Sequence, residues 1–292
     1  MEDPGVAIEV FERHRSQLRA VAYRMLGSFA DVDDVLQDAW LRYRTVDPAT
    51  LEEPAAWLTT VVSRLCLNRL RDRAARREDG WPRFPDPVLA APDGTDPEQT
   101  ALLRDDLGVA LLVVLDGLRP EERVAFVLHD AFAVPFDAVA EVLDSSPVAA
   151  RQLASRARRR IGTLPRPARD AVRERRVVDA FLAAAELGDF DGLFAVLHPD
   201  AVLRSDGGTG RPGASAVLRG ARAIADGATR FSVLSRTARP VLVNGDPGVL
   251  AAPRGVPVSL MVFTVEEGLI VAIDVLADPA RLAALSPRVL GP

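Results

Sequence analysis

Lysine is absent from the 292-residue chain, so all 36 of its strongly basic side chains are arginine. Any strongly cationic contact to an anion such as phosphate would therefore come from a planar guanidinium, which can bind bidentately and stack on bases. A single cysteine, Cys66, excludes a disulfide framework and any cysteine-based metal cluster. Long apolar runs are also missing: stretches such as 111–115 are far too short to cross a bilayer. The first 13 residues are acidic and hold no apolar stretch of secretory type, so a cytoplasmic location is expected, with no membrane contact. What is not scarce is apolar surface. At 48% apolar residues, wholesale disorder is excluded.

The length favours two or three folded units. Residues 1–77 read as helical, with periodic apolar positions and charges between them. Residues 78–100 hold five prolines, two glycines and many acids without helical or strand period, which is a linker. Residues 101–164 are helical again. From about residue 173 two more helical patterns appear, followed by alternating β-branched runs at 240–243, 258–265 and 269–276. Turns are expected at Asn244-Gly245-Asp246-Pro247-Gly248 and at Glu266-Glu267-Gly268, the second closing a hairpin. Helices first and strands later within one segment predict an α+β unit.

The net charge of −5 argues against a nucleic-acid binder until it is resolved by region. Between residues 151 and 176 ten arginines face only Asp170 and Glu174, a net of +8. That is either the footprint of a phosphate-backbone binder or a solvated basic helix end. The residues upstream bear on the choice. Leu118-Arg119-Pro120-Glu121-Glu122 opens a helix, with proline in the first turn and acids toward the positive dipole end. A short helix after Pro135 carries Phe136, Val139, Ala140 and Leu143 at i, i+3, i+4, i+7. It stops at Asp144-Ser145-Ser146-Pro147, where Ser146 can cap a third helix that buries Ala150, Leu153, Ala154, Ala157 and Ile161. Two short helices around a tight turn, the second ending in four arginines, make a helix-turn-helix pattern. On this reading Ala149, Arg151, Gln152 and Ser155 reach base edges, while Arg156, Arg158, Arg159 and Arg160 hold phosphates. A three-helix bundle with a basic edge is the alternative.

Nearer the N-terminus, Asp31 is expected to cap a helix over 31–44 that buries Val32, Val35, Leu36, Ala39 and Tyr43. A second stripe, Asp34, Gln37, Asp38 and Leu41, is either a solvated face or a docking surface for a basic partner. The helix expected over 55–77 buries Leu58, Val61, Val62, Leu65 and Leu70. It presents Thr60, Arg64, Asn68 and Arg71 in a row suited to a nucleic-acid strand, with Trp57 as a stacking plane or a core anchor. Cys66 reads as a small buried apolar residue.

These stretches resemble a known family. Residues 18–27 and 30–42, above all Asp34-Val35-Leu36-Gln37-Asp38, are similar to region 2 of bacterial sigma factors. Ala56-Trp57-Leu58-Thr59-Thr60 with Leu67-Asn68-Arg69-Leu70-Arg71 resembles the helix that reads the minus-ten element. Residues 118–160 resemble region 4, which reads the minus-thirty-five element. Nothing resembling regions 1.1 or 3 is present, which points to the extracytoplasmic-function (ECF) group. Phe181-Leu182-Ala183-Ala184-Ala185, Gly188-Asp189-Phe190-Asp191-Gly192-Leu193 and Leu197-His198-Pro199-Asp200-Ala201-Val202 look like the entry into a SnoaL-like cone.

The resemblance implies a fold of two all-α sigma domains, the region 2 helical bundle (1–77) and the region 4 helix-turn-helix (101–164). A SnoaL-like α+β cone with a curved antiparallel sheet follows over 173–292. It implies that the chain binds core RNA polymerase and directs promoter-specific initiation, docking on the beta-prime clamp through Asp34, Gln37, Asp38 and Leu41 and on the beta flap. It also implies regulation in cis by the C-terminal domain. Partial matches to that subgroup's motifs, Phe84-Pro85-Asp86-Pro87 in the linker, Asp206-Gly207-Gly208-Thr209-Gly210 and Asp278-Pro279-Ala280-Arg281-Leu282, mark the residues expected to make the intramolecular contact. No cofactor, metal or catalytic residue is expected. SnoaL-like cyclases use a carboxylate base and often a tyrosine; here the candidate acids are Asp200, Asp206 and Asp274, with His198 beside them, but Tyr23 and Tyr43 both lie in the N-terminal segment. A small-molecule ligand or a purely interdomain role is the expectation for that domain. A one-component repressor with a ligand-sensing C-terminal pocket is the competing function, and it has no need of region 2.

Overall fold

A computed structural model describes residues 4–47, 50–76, 83–90, 108–162, 170–208, 215–230 and 237–289. Its contacts divide the chain into two units, one holding residues 1–80, 100–105 and 114–163, the other the remainder.

The first unit is all-helical. Helices α1 (Pro4–Leu26), α2 (Phe29–Tyr43) and α3 (Pro54–Arg76) pack around Leu18, Val21, Met25, Leu36, Leu58 and Val62. The buried stripe of α2 is the five residues expected, Val32, Val35, Leu36, Ala39 and Tyr43. Its start is not: the cap is Ser28, with extended backbone, and Asp31 lies in the first turn. Asp31 is occupied elsewhere, paired with Arg69 at 3.2 Å and with Arg73 of α3. Burial pushes its carboxyl up, but the charge and hydrogen bond of Arg73, with the Ser28 hydroxyl, outweigh this and hold it below the usual range. Cys66 is buried, and burial pushes its thiol up to about 12. Iodoacetamide at pH 8 should leave the native chain unlabelled and label it stoichiometrically in denaturant, since only the thiolate reacts; native labelling followed by mass spectrometry checks this.

The same unit contains α5 (Pro120–Phe126), a π-helical turn at Val127–Ala131, α6 (Phe136–Leu143) and α7 (Pro147–Ile161). The turn before α7 forms as its sequence requires. Asp144 takes the left-handed conformation (φ 49°, ψ 53°), the Ser146 hydroxyl accepts from Ala149 N at 3.2 Å, and Pro147 opens the helix. Ala150, Ala154 and Ala157 are buried; Leu153 and Ile161 are half-buried.

The second unit is α+β. Helices α8 (Ala171–Leu187), α9 (Phe190–Val196) and α10 (Ala221–Arg230) precede or interleave strands β2 (Leu197–Asp206), β3 (Ala216–Arg219), β4 (Ala238–Val243), β5 (Asp246–Ala251), β6 (Ser259–Glu266) and β7 (Leu269–Leu276). Helix α11 (Pro279–Val289) closes the element order, and a short strand β1 (Leu89–Ala90) comes from the linker. The sheet is open, in the order β1-β4-β5-β6-β7-β2-β3.

Three expectations are corrected here. The sheet is mixed, because β2 runs parallel to β7. The turn at Asn244–Gly248 shrinks to Asn244-Gly245, both at positive φ as a two-residue hairpin requires, and Asp246 already starts β5. Pro247 is tolerated in an internal strand because the ladder to β6 begins only at Gly248, so its missing N–H costs no bond there. Finally, His198-Pro199-Asp200, where proline fixes the backbone and aspartate can cap so that a turn is expected, belongs to a strand, at the irregularity between Leu197 and Val202 in the β2–β7 ladder. The second hairpin, turning at Glu267-Gly268, is as expected.

The sheet is buried on both faces. Val178, Phe181, Leu193 and Ile224 pack on the face that shows Val249, Phe263 and Ile273. On the other, Phe84, Val109, Val113 and Leu282 cover Val241, Val243, Leu250, Leu260, Val262 and Leu276. The linker is therefore partly structural rather than free: residues 83–90 lie on this sheet, β1 pairs with β4, and Val88 exchanges hydrogen bonds with Asn244. The positions 78–82 and 91–100 lie outside the described residues. Helix α4 (Val109–Asp116) starts in this unit, where Asp246 accepts from Val109 N at 2.6 Å. Gly108 leaves room for that carboxylate, which a Cβ would strike.

Candidate nucleic-acid interface and linker latch

On α2 the stripe Asp34, Gln37, Asp38 and Leu41 is exposed, Leu41 with 45% of its surface in solvent. Arg69 of α3 lies against its edge, 3.2 Å from Asp34 and 3.8 Å from Asp38. An acidic rim around an exposed leucine is what a docking face for a basic partner needs.

The α3 row is formed but engaged. Thr60 is half-buried, and Arg64, Asn68 and Arg71 are exposed, so all four share the face opposite the core. Within the helical unit, however, Arg64 donates to the Glu141 carbonyl of α6 at 2.6 Å, and Arg71 pairs with Glu121 of α5 at 2.8 Å. Trp57 is half-buried with its ring 5.9 Å from that of Tyr43, nearer the core-anchor reading than a free stacking plane.

On α7, Arg151, Gln152, Arg158, Arg159 and Arg160 are exposed, and Ala149, Ser155 and Arg156 are half-buried on the same side. Arg151 lies over the Phe136 ring at 5.1 Å, and Phe136 stacks on His129. Arg158 pairs with Asp130 at 2.7 Å. Sequence reasoning missed what lies beneath the others. Glu122, expected only as a first-turn acid toward the positive dipole end, has 2% of its side chain exposed and accepts from Arg119, Arg156 and Arg160. Its hydrogen bond from Arg119 holds the carboxyl below the usual glutamate range.

In the second unit the three motif fragments meet. Asp206 Oδ2 accepts from Phe84 N at 2.9 Å and from Arg281 Nη1 at 2.9 Å. Arg281 Nη2 donates to Asp86 Oδ1 at 2.8 Å and to the Phe84 carbonyl at 2.6 Å. Phe84, Pro85 and Pro87 are buried. Gly208, at φ 73°, lets its own N–H reach Asp206 and leaves space for Asp278, which would collide with a Cβ there. Asp278 in turn accepts from Ala280 N and Arg281 N, and Pro279 begins α11. Thr209 and Gly210 lie outside the described residues. Arg281 was legible, being part of the string Asp278-Pro279-Ala280-Arg281-Leu282, but nothing local marked it as the hub.

Two of the three candidate acids have partners for their carboxylates. Asp200 is exposed, its N–H bonded to His198 Nδ1; Asp206 belongs to the latch; Asp274 is forked onto Arg204 at 2.6 and 2.9 Å. Among the described residues no group of three or more His, Cys, Asp and Glu is placed to hold a metal, and no helix is long and apolar enough to cross a membrane.

The chain is similar to known proteins along nearly its whole length. The sigma-70 region 2 family matches residues 10–76, and the sigma-70 region 4 family matches 108–161. The ECF RNA polymerase sigma factor SigJ of Mycobacterium tuberculosis is 40% identical over 94% of this chain and 92% of that protein. A probable ECF RNA polymerase sigma factor, SigI of the same organism, is 33% identical over 95% of each. The crystal structure of the M. tuberculosis SigJ superposes with a TM-score of 0.77 at 38% identity, covering 94% of this chain and 98% of that one.

Proposed function

The chain belongs to the ECF group of sigma-70-family RNA polymerase sigma factors, and we propose that its C-terminal domain controls it in cis through the linker between its two promoter-binding regions. Members of the family are transcription initiation factors, not enzymes; they bind core RNA polymerase and promoter DNA. On our reading, residues 1–77 form region 2, 78–100 the linker, 101–164 region 4 and 173–292 a SnoaL-like regulatory domain.

The observation that carries the proposal is the latch of Phe84, Asp86, Asp206 and Arg281, which ties the linker to the C-terminal domain through three hydrogen bonds, with a fourth joining Arg281 to Asp206 inside that domain. A domain that holds the tether governs how far region 4 can move from region 2. The exposed stripe of Asp34, Gln37, Asp38 and Leu41 supports docking on the polymerase beta-prime clamp, and region 4 is assigned to the beta flap. Trp57, Thr60, Arg64, Asn68 and Arg71 are assigned to the minus-ten element. Ala149, Arg151, Gln152 and Ser155 read minus-thirty-five bases, with Arg156, Arg158, Arg159 and Arg160 on its phosphates. Whether the C-terminal domain also takes a small molecule is separate from the latch.

Run-off transcription by core polymerase on templates selected from a randomised promoter library tests the assignment. Asp38→Arg is expected to weaken core binding at least tenfold, about 1.4 kcal/mol, with little effect on free duplex binding. Arg156→Ala is expected to do the reverse. Equal losses of core affinity would contradict the division of labour, and a chain that bound duplex tightly but never core enzyme would support the repressor reading instead.

A further inference from the structure

Glu122 stands out in the helical unit because its charge is over-answered. Elsewhere the pairs on this face are one to one: Arg158 with Asp130, Arg71 with Glu121. At Glu122, Oε1 accepts from Arg119 Nη2 at 2.5 Å and from Arg156 Nε at 3.3 Å, while Oε2 accepts from Arg160 Nη1 at 3.0 Å. Arg159 makes no ion pair with any described residue, and together these five side chains line a recess of about 480 Å³. Four guanidiniums and one carboxylate leave a net charge of +3.

The carboxylate is covered, with 2% of its side chain exposed, whereas Arg119, Arg156 and Arg160 expose 60%, 40% and 56% of theirs. Each guanidinium has five N–H donors, and Glu122 occupies only one from each. That leaves four donors on each of these partly exposed side chains. Three flexible cations that would repel one another are thus held close together by a buried anion that a ligand cannot easily reach. Such a site takes an anion with several acceptor oxygens, which is the chemistry of a phosphodiester. Two of the three arginines belong to α7, one turn apart; Arg119 comes from the residue before α5.

We propose that Glu122 organises a phosphate clamp for duplex DNA and that Arg119, outside the recognition helix, makes a backbone contact of its own. Glu122 is a positioning residue: it touches arginines, not DNA. The proposal rests on α7 being the DNA-binding helix, and the control below separates the two.

The test is fluorescence anisotropy of the full chain with a fluorescein-labelled 30-base-pair duplex of random sequence, titrated from 20 to 200 mM NaCl. Removing one phosphate contact lowers the slope of log K against log salt by about 0.9. Arg119→Ala should therefore lose about tenfold in affinity at low salt with that change of slope. Glu122→Gln keeps the shape but removes the anion; its slope should fall as the guanidiniums part. If Glu122 merely competed with DNA, the same change would instead raise affinity, and that result would overturn its role. An unchanged slope for Arg119→Ala, or no binding by the parent chain at 20 mM NaCl, overturns the clamp. Should Glu122→Gln fail to fold by circular dichroism, the exposed Arg119→Ala decides alone. Arg159→Ala is the control: loss there without loss at Arg119 defeats the clamp and leaves α7 as the DNA-binding helix, whereas no loss at either defeats the assignment of α7 itself.

Discussion

Arg281→Ala is expected to raise promoter-specific run-off by the full chain while making its linker cleavable. Arg281 is 17% exposed and its two terminal nitrogens serve Asp206, Asp86 and the Phe84 carbonyl. Without it, two carboxylates, 15% and 23% exposed, remain in place with their shared cation gone. Breaking one side of such a partly exposed pair costs up to about 3 kcal/mol, which shifts the segment, still held by the buried Phe84 and the Val88–Asn244 bonds, toward release. Residues 83–90 then come free more often. At about 3.3 Å per residue, these eight residues add roughly 25 Å of reach between the promoter-binding regions.

That reach matters because Arg64 and Arg71, the residues assigned to the minus-ten element, are held by Glu141 and Glu121 of the region 4 segment. The two promoter elements lie about 25 base pairs apart, roughly 85 Å at 3.4 Å per base pair. Helices in hydrogen-bonded contact cannot serve both at once. A shift of about 1.4 kcal/mol toward the separated state is tenfold in population, and run-off should rise by up to that factor. Trypsin cleavage after Arg83 reports the release independently. Faster cleavage with unchanged or lower run-off would show that the latch holds the linker without controlling transcription.

The legibility of these features in sequence follows the range of the forces that make them. The α2 stripe, the Ser146 cap and the arginine-bearing face of α7 are local, set by 3.6-residue periodicity and turn chemistry, and they were readable. Strand β2 was not, because His198-Pro199-Asp200 carries every local mark of a turn; its strand state comes from pairing with β7, some 70 residues away. Pro247 misled for the same reason, since only the end of the β6 ladder makes it harmless. The linker looked unstructured by composition, yet its anchors Asp206, Asn244 and Arg281 lie more than 120 residues downstream. Glu122 was read as a first-turn acid because one helix turn contains nothing to say that arginines 34 and 38 positions later will cover it.

Asp274→Ala is expected to be the most destabilising single change in the C-terminal domain. Asp274 on β7 and Arg204 on β2 are register partners in the parallel pair and meet in a two-point fork at 2.6 and 2.9 Å. Asp274 is 2% exposed and Arg204 22%. Burial opposes the charge on Arg204, and the bond to Asp274 more than compensates, so the guanidinium stays protonated and cannot escape by neutralising. Removing the carboxylate strands that cation between two strands, at a cost of about 3–5 kcal/mol. Urea unfolding of the full chain followed at the C-terminal domain measures it. The paired replacement Arg204→Met with Asp274→Leu should recover most of the loss, because a buried ion pair and a packed apolar pair of similar volume are nearly equal in stability. This also bears on chemistry. A carboxylate fully engaged with arginine, on the sheet face packed by Phe84, Val109 and Leu282, is held as an ion-pair partner rather than as a base open to substrate. If Asp274→Ala unfolded within about 1 kcal/mol of the parent, the pair would not be structural, and the case for a carboxylate free to act in that domain would reopen.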